Sequence, residues 1–241
     1  MSQRDVLIVG ISGCSSSGKT TIAKLIAELL PGATLIHEDD FFKHDDEIPL
    51  NKKFGVKDWD CPEALDLDLF GQELDHIKAT GKISAKLVHN NNVDDVSRFC
   101  VSKETKETLR KEFNAFEAAS DVHVVVVDGF MMFHDPKIAC KFDRKLLIRA
   151  PYASLKSRRA ARSGYQTLDS FWIDPPFYFD EFVYKSYAKN HASLFEENDV
   201  EGRIRKNSGV QDYVNDDGMD INDALLWACH QIVSPLPSFS S

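Results

Sequence analysis

The chain has 241 residues, 43% of them hydrophobic, enough to bury a full core as one domain spanning 1–241. A formal net charge of -9 argues against a duplex nucleic acid or an anionic membrane surface as the main partner, since both need a cationic face, and favours a small molecule. The five cysteines are odd in number and lack C-x-x-C pairing, so they indicate neither a disulfide framework nor a zinc site and fit a reducing cytoplasm; no apolar run approaches the ~20 residues of a membrane helix.

Strand and helix signals alternate through the first 160 residues. "DVLIVGI" (5–11) is a β-branched run ending on glycine, and "TTIAKLIAELL" (20–30) carries apolar residues at helical spacing, closed by Pro31-Gly32. "ATLIHEDDFF" (33–42) reads as a second strand running into an acidic loop. "CPEALDLDLFGQELDHIKATG" (61–81) has the proline start and glycine stop of a helix, and 82–121, containing "HNNNVDD", reads as a peripheral insertion. "VHVVVVDGF" (122–130) is the continuous apolar run of a strand buried on both faces. "RKLLIRAP" (144–151) is a further strand, with Pro151 placed as the first residue of the helix "YASLKSRRAAR". The end of the chain, 234–241, reads as a flexible tail. The alternation predicts an α/β fold, a parallel sheet of five strands with helices on both faces.

Between the first strand and the first helix lies "GISGCSSSGKTT" (10–21), in which Gly13, Gly18, Lys19 and Thr20 satisfy G-x-x-x-x-G-K-S/T. In that context the N–H groups of Gly13, Cys14, Ser15, Ser16, Ser17, Gly18, Lys19, Thr20 and Thr21 can converge with the helix N-terminus on the phosphates of ATP. Lys19 would neutralise the β- and γ-phosphates, and Thr20 would be a magnesium ligand. A guanine-selecting N-K-x-D is missing, because the one N-K, "NKKF" at 51–54, ends in phenylalanine. A small-molecule kinase needs a carboxylate beside the acceptor hydroxyl, a magnesium site and cations over the transferring group. Glu38, Asp39 and Asp40 follow the second strand at the sheet edge where ligands bind, and the residues alone do not choose among them. Asp128 ends "VVVVD" at the same edge and could hold magnesium through water. Arg158, Arg159 and Arg162 share one predicted helix and read as a short arginine lid.

"GISGCSSSGKTT", "HEDDFFKHDDEIP", "WDCPEALD", "VDGFMMF", "RRAARSGYQTLDSFW" and "DPPFYFDEFVY" together resemble the nicotinamide riboside kinases, most closely the fungal members, from about residue 6 to about residue 195. The resemblance implies a P-loop kinase fold. It also implies transfer of the ATP γ-phosphoryl group to the ribose 5′-hydroxyl of nicotinamide riboside, with nicotinic acid riboside as a second substrate, feeding NAD synthesis. By the same resemblance Asp39 is general base and magnesium contact beside Thr20, and Phe42 and Trp59 lie against the nicotinamide ring. Asp60 binds ribose hydroxyls, Arg159 and Tyr165 reach the substrate, Arg158 and Arg162 lie near ATP, and Asp174 is a further substrate contact, a role Asp169 could take instead. Asp128 stands where the animal members carry glutamate, and Trp59 where they carry tyrosine. The pyridinium of the substrate suits aromatic faces and carboxylates through cation–π and Coulomb attraction. The expected form is a monomer or weak homo-oligomer. The rival readings are a uridine or cytidine kinase and a nucleotide-binding regulatory protein without turnover.

Overall fold

A computed structural model describes residues 5–30, 32–84 and 99–234. In chain order its elements are β1 (Asp5–Ser12), α1 (Lys19–Leu29), β2 (Thr34–His37), a hairpin of β3 (Leu50–Asn51) and β4 (Val56–Lys57), α2 (Leu67–Thr80) and α3 (Lys103–Ser120). There follow β5 (Val122–Gly129), α4 (Pro136–Ala139), β6 (Arg144–Arg149), α5 (Tyr152–Ala160) and a second hairpin of β7 (Tyr165–Gln166) and β8 (Phe171–Trp172). The chain closes with α6 (Tyr184–His191), β9 (Gln211–Val214) and α7 (Ile221–Val233).

Five strands form one parallel sheet in the order β2-β5-β1-β6-β9. The valine run of β5 lies between β1 and β2, and alternation along the strands sends side chains to both faces. Val125 and Val127 join Ile8, Leu147 and Phe70 of α2 on one side. Val124 and Val126 join Val9, Ile11 and Ile148 under α1, α3 and α7 on the other. Gly10 of β1 has no room for a side chain, since a Cβ would stand 2.8 Å from the Phe142 ring.

Several boundaries differ from the sequence reading for identifiable reasons. Pro62–Ala64 is a separate 3₁₀ turn, and α2 starts only after Asp66, whose side chain caps it by accepting the Leu69 N–H at 2.9 Å. Pro151 is the cap preceding α5, extended at ψ 148°, not its first helical residue. β2 ends at His37, and Glu38–Phe41 is a 3₁₀ turn that directs three successive acidic residues at the sheet edge. Within the stretch read as a peripheral insertion, α3 is part of the core: Leu109 and Phe113 are fully buried beside α1 and α7. Truncating Phe113 to alanine should cost about 3–5 kcal/mol. Residues 85–98 of that stretch and 235–241 of the expected tail lie outside the described residues. The fifth strand, β9, carries no apolar run, and only the pairing of Leu146–Arg149 with Gln211–Val214 reveals it. Among the described residues no helix is long and apolar enough to cross a membrane.

Candidate active site

The loop after β1 turns through backbone conformations that side chains resist. Gly18 has φ 97°, and a Cβ there would stand 2.5 Å from the Asn215 side-chain nitrogen; at Gly13 it would stand 2.1 Å from the Ile148 carbonyl oxygen. Ser16 also has a positive φ, 68°. The Asn215 amide, just past β9, donates to the Ser17 carbonyl at 2.8 Å, so the last strand of the sheet braces the loop. Cys14 is buried beneath it, and burial pushes its thiol up to about 12, so it stays protonated.

Beside the loop the parallel strands present their carboxylates. Asp128, at the end of β5, accepts the Thr20 hydroxyl at 2.6 Å through one oxygen and bonds His37 Nδ1 through the other. Burial alone would raise Asp128, but the His37 bond and charge, aided by Lys19 and Thr20, hold it below the ordinary carboxylate range. Asp39 faces the same cavity, and burial raises its pKa against the attraction of Lys19. Glu38 points the other way. It is fully buried, and one oxygen accepts the N–H groups of Phe130 and Met131 at 2.7 and 2.8 Å. Burial pushes it up to about 8 despite those bonds. Glu38 is therefore a structural clasp on the loop after β5, which removes it from the three candidate bases.

The cavity has a volume of about 430 Å³ and runs from Ser15, Lys19 and Thr20 to an aromatic wall. Phe42 stacks on Phe130 at 5.8 Å and meets Trp59 edge-on at 5.8 Å, and Trp59 lies 6.3 Å from Trp172. Arg159 is buried, forks onto Asp174 at 2.6 and 3.1 Å, reaches Asp60 at 3.5 Å, and lies over the Tyr165 ring at 4.6 Å. Beneath the wall the Tyr178 hydroxyl accepts the Trp59 backbone N–H at 2.8 Å and also bonds Asp60. A cation-tolerant aromatic face, a buried carboxylate–arginine pair and a phosphate loop thus border one space.

Residues 8–153 match the model of the phosphoribulokinase/uridine kinase family. The chain is 54% identical to the nicotinamide riboside kinase of Saccharomyces cerevisiae, over 97% of this chain and 98% of the relative. It is 55% identical to that of Eremothecium gossypii over 92% and 90%. The protein belongs to the nicotinamide riboside kinase family. Human nicotinamide riboside kinase 2 is 31% identical over 81% of this chain and 71% of the human protein.

Against this kinase family the sequence-derived site residues sort by position. Lys19, Thr20, Asp39, Phe42, Trp59, Asp60, Asp128, Arg159, Arg162 and Tyr165 line the cavity together with Ser15 and Asp40. Asp128, read as able to hold magnesium through water, is tied to Thr20 and His37 on the loop side. Asp174 and Arg158 do not line the cavity: Asp174 lies on Arg159, and Arg158 is paired with Asp217 at 2.7 Å and the Asn215 carbonyl at 3.0 Å. Asp169 is further out, holding His44 and the Asp45 N–H on the surface. Sequence reasoning missed Phe130, Trp172 and Asn215. The first two sit in quoted motifs but resemble core aromatics, and nothing near Asn215 signals a role, because β9 itself is not legible.

Magnesium, implied by the kinase family, would meet suitable hard oxygens here. Asp128 accepts the hydrogen bond of the Thr20 hydroxyl, which leaves the hydroxyl lone pairs for a cation, while Asp39 and Asp128 face the same space. Phosphate oxygens and water would complete such a set.

Proposed function

We propose that the protein transfers the γ-phosphoryl group of ATP to the ribose 5′-hydroxyl of nicotinamide riboside, giving the mononucleotide, and that it accepts nicotinic acid riboside as well. The observation that carries this reading is the continuity of one cavity from the phosphate loop to the Phe42, Trp59, Phe130 and Trp172 wall, with Asp39 and Asp60 between them. A pyridinium ring gains cation–π attraction against such faces and Coulomb attraction from the carboxylates, which a neutral pyrimidine lacks.

In this reading Asp39 takes the proton of the acceptor hydroxyl, its raised pKa bringing it closer to a general base's working range. Asp60 and Arg159 hold the ribose so that the hydroxyl lies in line with the phosphoryl group. Lys19, Arg162 and the loop N–H groups spread the charge that develops on the transferring group. Thr20, Asp39 and Asp128 would hold magnesium, which supplies charge neutralisation on the phosphates when bound. Arg158 acts at one remove, bracing the Asn215 segment against the loop. The cysteine pattern supports a cytoplasmic setting, with all five thiols free.

The test is an initial-rate panel of nicotinamide riboside, nicotinic acid riboside, uridine and cytidine with ATP and magnesium, each nucleoside at equal low concentration. The pyridine ribosides should lead in kcat/KM. A lead for uridine or cytidine would overturn the substrate assignment and leave the loop chemistry intact.

A further inference from the structure

Among the described residues, Trp172 is the one side chain that belongs both to the aromatic wall and to the hydrogen bonds that hold Arg159. Its ring lines the cavity 6.3 Å from Trp59 and 5.4 Å from Tyr178. Its indole N–H donates to Asp174 Oδ1 at 2.8 Å, the oxygen that also accepts Arg159 Nη2 at 3.1 Å; the other oxygen accepts Arg159 Nε at 2.6 Å. An indole N–H bonded to one carboxylate oxygen restrains rotation of the carboxylate about its own bond and so favours one plane for the fork it offers to the guanidinium. Arg159 Nη2 in turn stands 3.5 Å from Asp60. A continuous series therefore runs from the base wall, through Trp172, Asp174 and Arg159, to the carboxylate assigned to the ribose.

Trp59, the neighbouring wall residue, offers a contrast. Its indole nitrogen is buried and has no hydrogen-bond partner in the structure. Of the two indoles, that of Trp172 is the one hydrogen-bonded toward Arg159.

We propose that Trp172 is a positioning residue that couples the base wall to Arg159, so that its ring contributes to nucleoside binding and its N–H to turnover. This rests on the proposed nucleoside kinase reading and specifies which residue links base recognition to the placement of the acceptor hydroxyl. The N–H holds Asp174, Asp174 holds the guanidinium, and the guanidinium holds the ribose in line with the loop. Loss of the N–H loosens an orientation without removing a binding face.

The experiment uses the full chain and two reciprocal substitutions, with nicotinamide riboside and ATP each varied while the other is saturating. Trp172→Phe keeps a ring and removes the donor: kcat should fall on the order of tenfold with nucleoside KM within about twofold of wild type. Trp172→Gln keeps a donor and removes the ring: KM should rise on the order of tenfold, with kcat less affected than in Trp172→Phe. Combining Trp172→Phe with Asp174→Asn should lower kcat little beyond the worse single variant, because both break one series. Wild-type kcat in Trp172→Phe, full additivity with Asp174→Asn, or equal losses of kcat in the Phe and Gln variants would overturn the proposal. So would a parallel rise in the ATP KM with a lowered Tm, which would mark a merely structural role. The wild-type nucleoside panel is read first. If another nucleoside is preferred, the substrate assignment fails while the coupling is tested on that nucleoside.

Discussion

Within the one consecutive segment 10–20, Ser15, Lys19 and Thr20 border the loop end of the cavity, whereas the far end is lined by residues scattered along the chain, 42, 59, 60, 130, 159, 165 and 172. Under the proposed function the two ends differ because their ligands would differ. Phosphate oxygens are met by N–H groups converging at a helix N-terminus, and only a particular local backbone path achieves that. The cramped surroundings of Gly13 and Gly18 show how little substitution the path tolerates. A cationic ring and a ribose are met by faces and forks, which can come from any segment the fold brings to the sheet edge. The phosphate end is therefore compact in sequence, and the nucleoside end is dispersed and open to change one residue at a time.

Asp39 lies where the two ends meet, and its substitution should have the largest effect. Asp39→Asn removes the proposed proton acceptor while leaving the loop, so kcat should fall about 10²–10⁴-fold with ATP binding retained. Titration calorimetry with a non-hydrolysable ATP analogue, beside steady-state rates, checks both halves. Turnover at the wild-type rate would move the base to Asp40, which also lines the cavity.

The same contrast explains what could be read before any coordinates. The loop, its strand and its helix were legible because motif, β-branched run and helical periodicity coincide within residues 5–30. The acidic turn was legible as a group and the resemblance singled out Asp39, while the structural role of Glu38 emerges only from its burial and its bonds to the Phe130 and Met131 N–H groups. Phe42, Trp59 and Asp60 came from family resemblance, because a single aromatic in an extended stretch has no period to betray it. The place of α3 in the core was obscured by its polar surface: apolar Leu109 and Phe113 are few among charged residues. Asn215 had no signal, because its role depends on a strand recognisable only by pairing with β6.

A second test acts on the nucleoside end alone. Trp59→Ala should raise the KM for nicotinamide riboside on the order of tenfold and move the ATP KM much less. If both rise equally, the wall and the loop are not separable in the way their construction suggests, and Trp59 is a packing residue of the whole site.

Glu38 joins the two ends physically, since it clasps the loop that carries Phe130 into the aromatic wall. Its carboxyl binds a proton more tightly in the folded chain, at about 8, than at the ordinary value of 4.5. Between those values the folded state holds more protons than the unfolded one, so this group makes stability fall as pH rises. Glu38→Gln keeps an oxygen for the Phe130 and Met131 N–H groups and cannot ionise. The Tm of the variant should therefore gain on that of wild type as pH rises from about 5 to about 8, by several degrees. A constant difference across that range would mean Glu38 is already ionised in the folded protein.

The smallest effect is expected at Asp169, and the comparison with Asp174 makes it informative. Both carboxylates lie in the segment after α5, and the sequence allowed either to contact substrate. In the structure Asp169 is exposed, accepts the Asp45 N–H at 2.9 Å and faces His44 at 3.3 Å, a surface latch between the second hairpin and the turn after Phe42. Exposed pairs of this kind contribute little, so Asp169→Ala should change stability by no more than about 1 kcal/mol. Since Asp169 does not reach the cavity, kcat and both KM values should stay within about twofold of wild type. Asp174→Ala, by contrast, leaves the buried Arg159 guanidinium with only the longer 3.5 Å contact to Asp60 as a salt bridge. Its nucleoside kcat/KM should fall at least tenfold. If Asp169→Ala proved the more damaging, the latch would be governing access to the aromatic wall, and the nucleoside end would depend on hairpin closure more than on the fork beneath it.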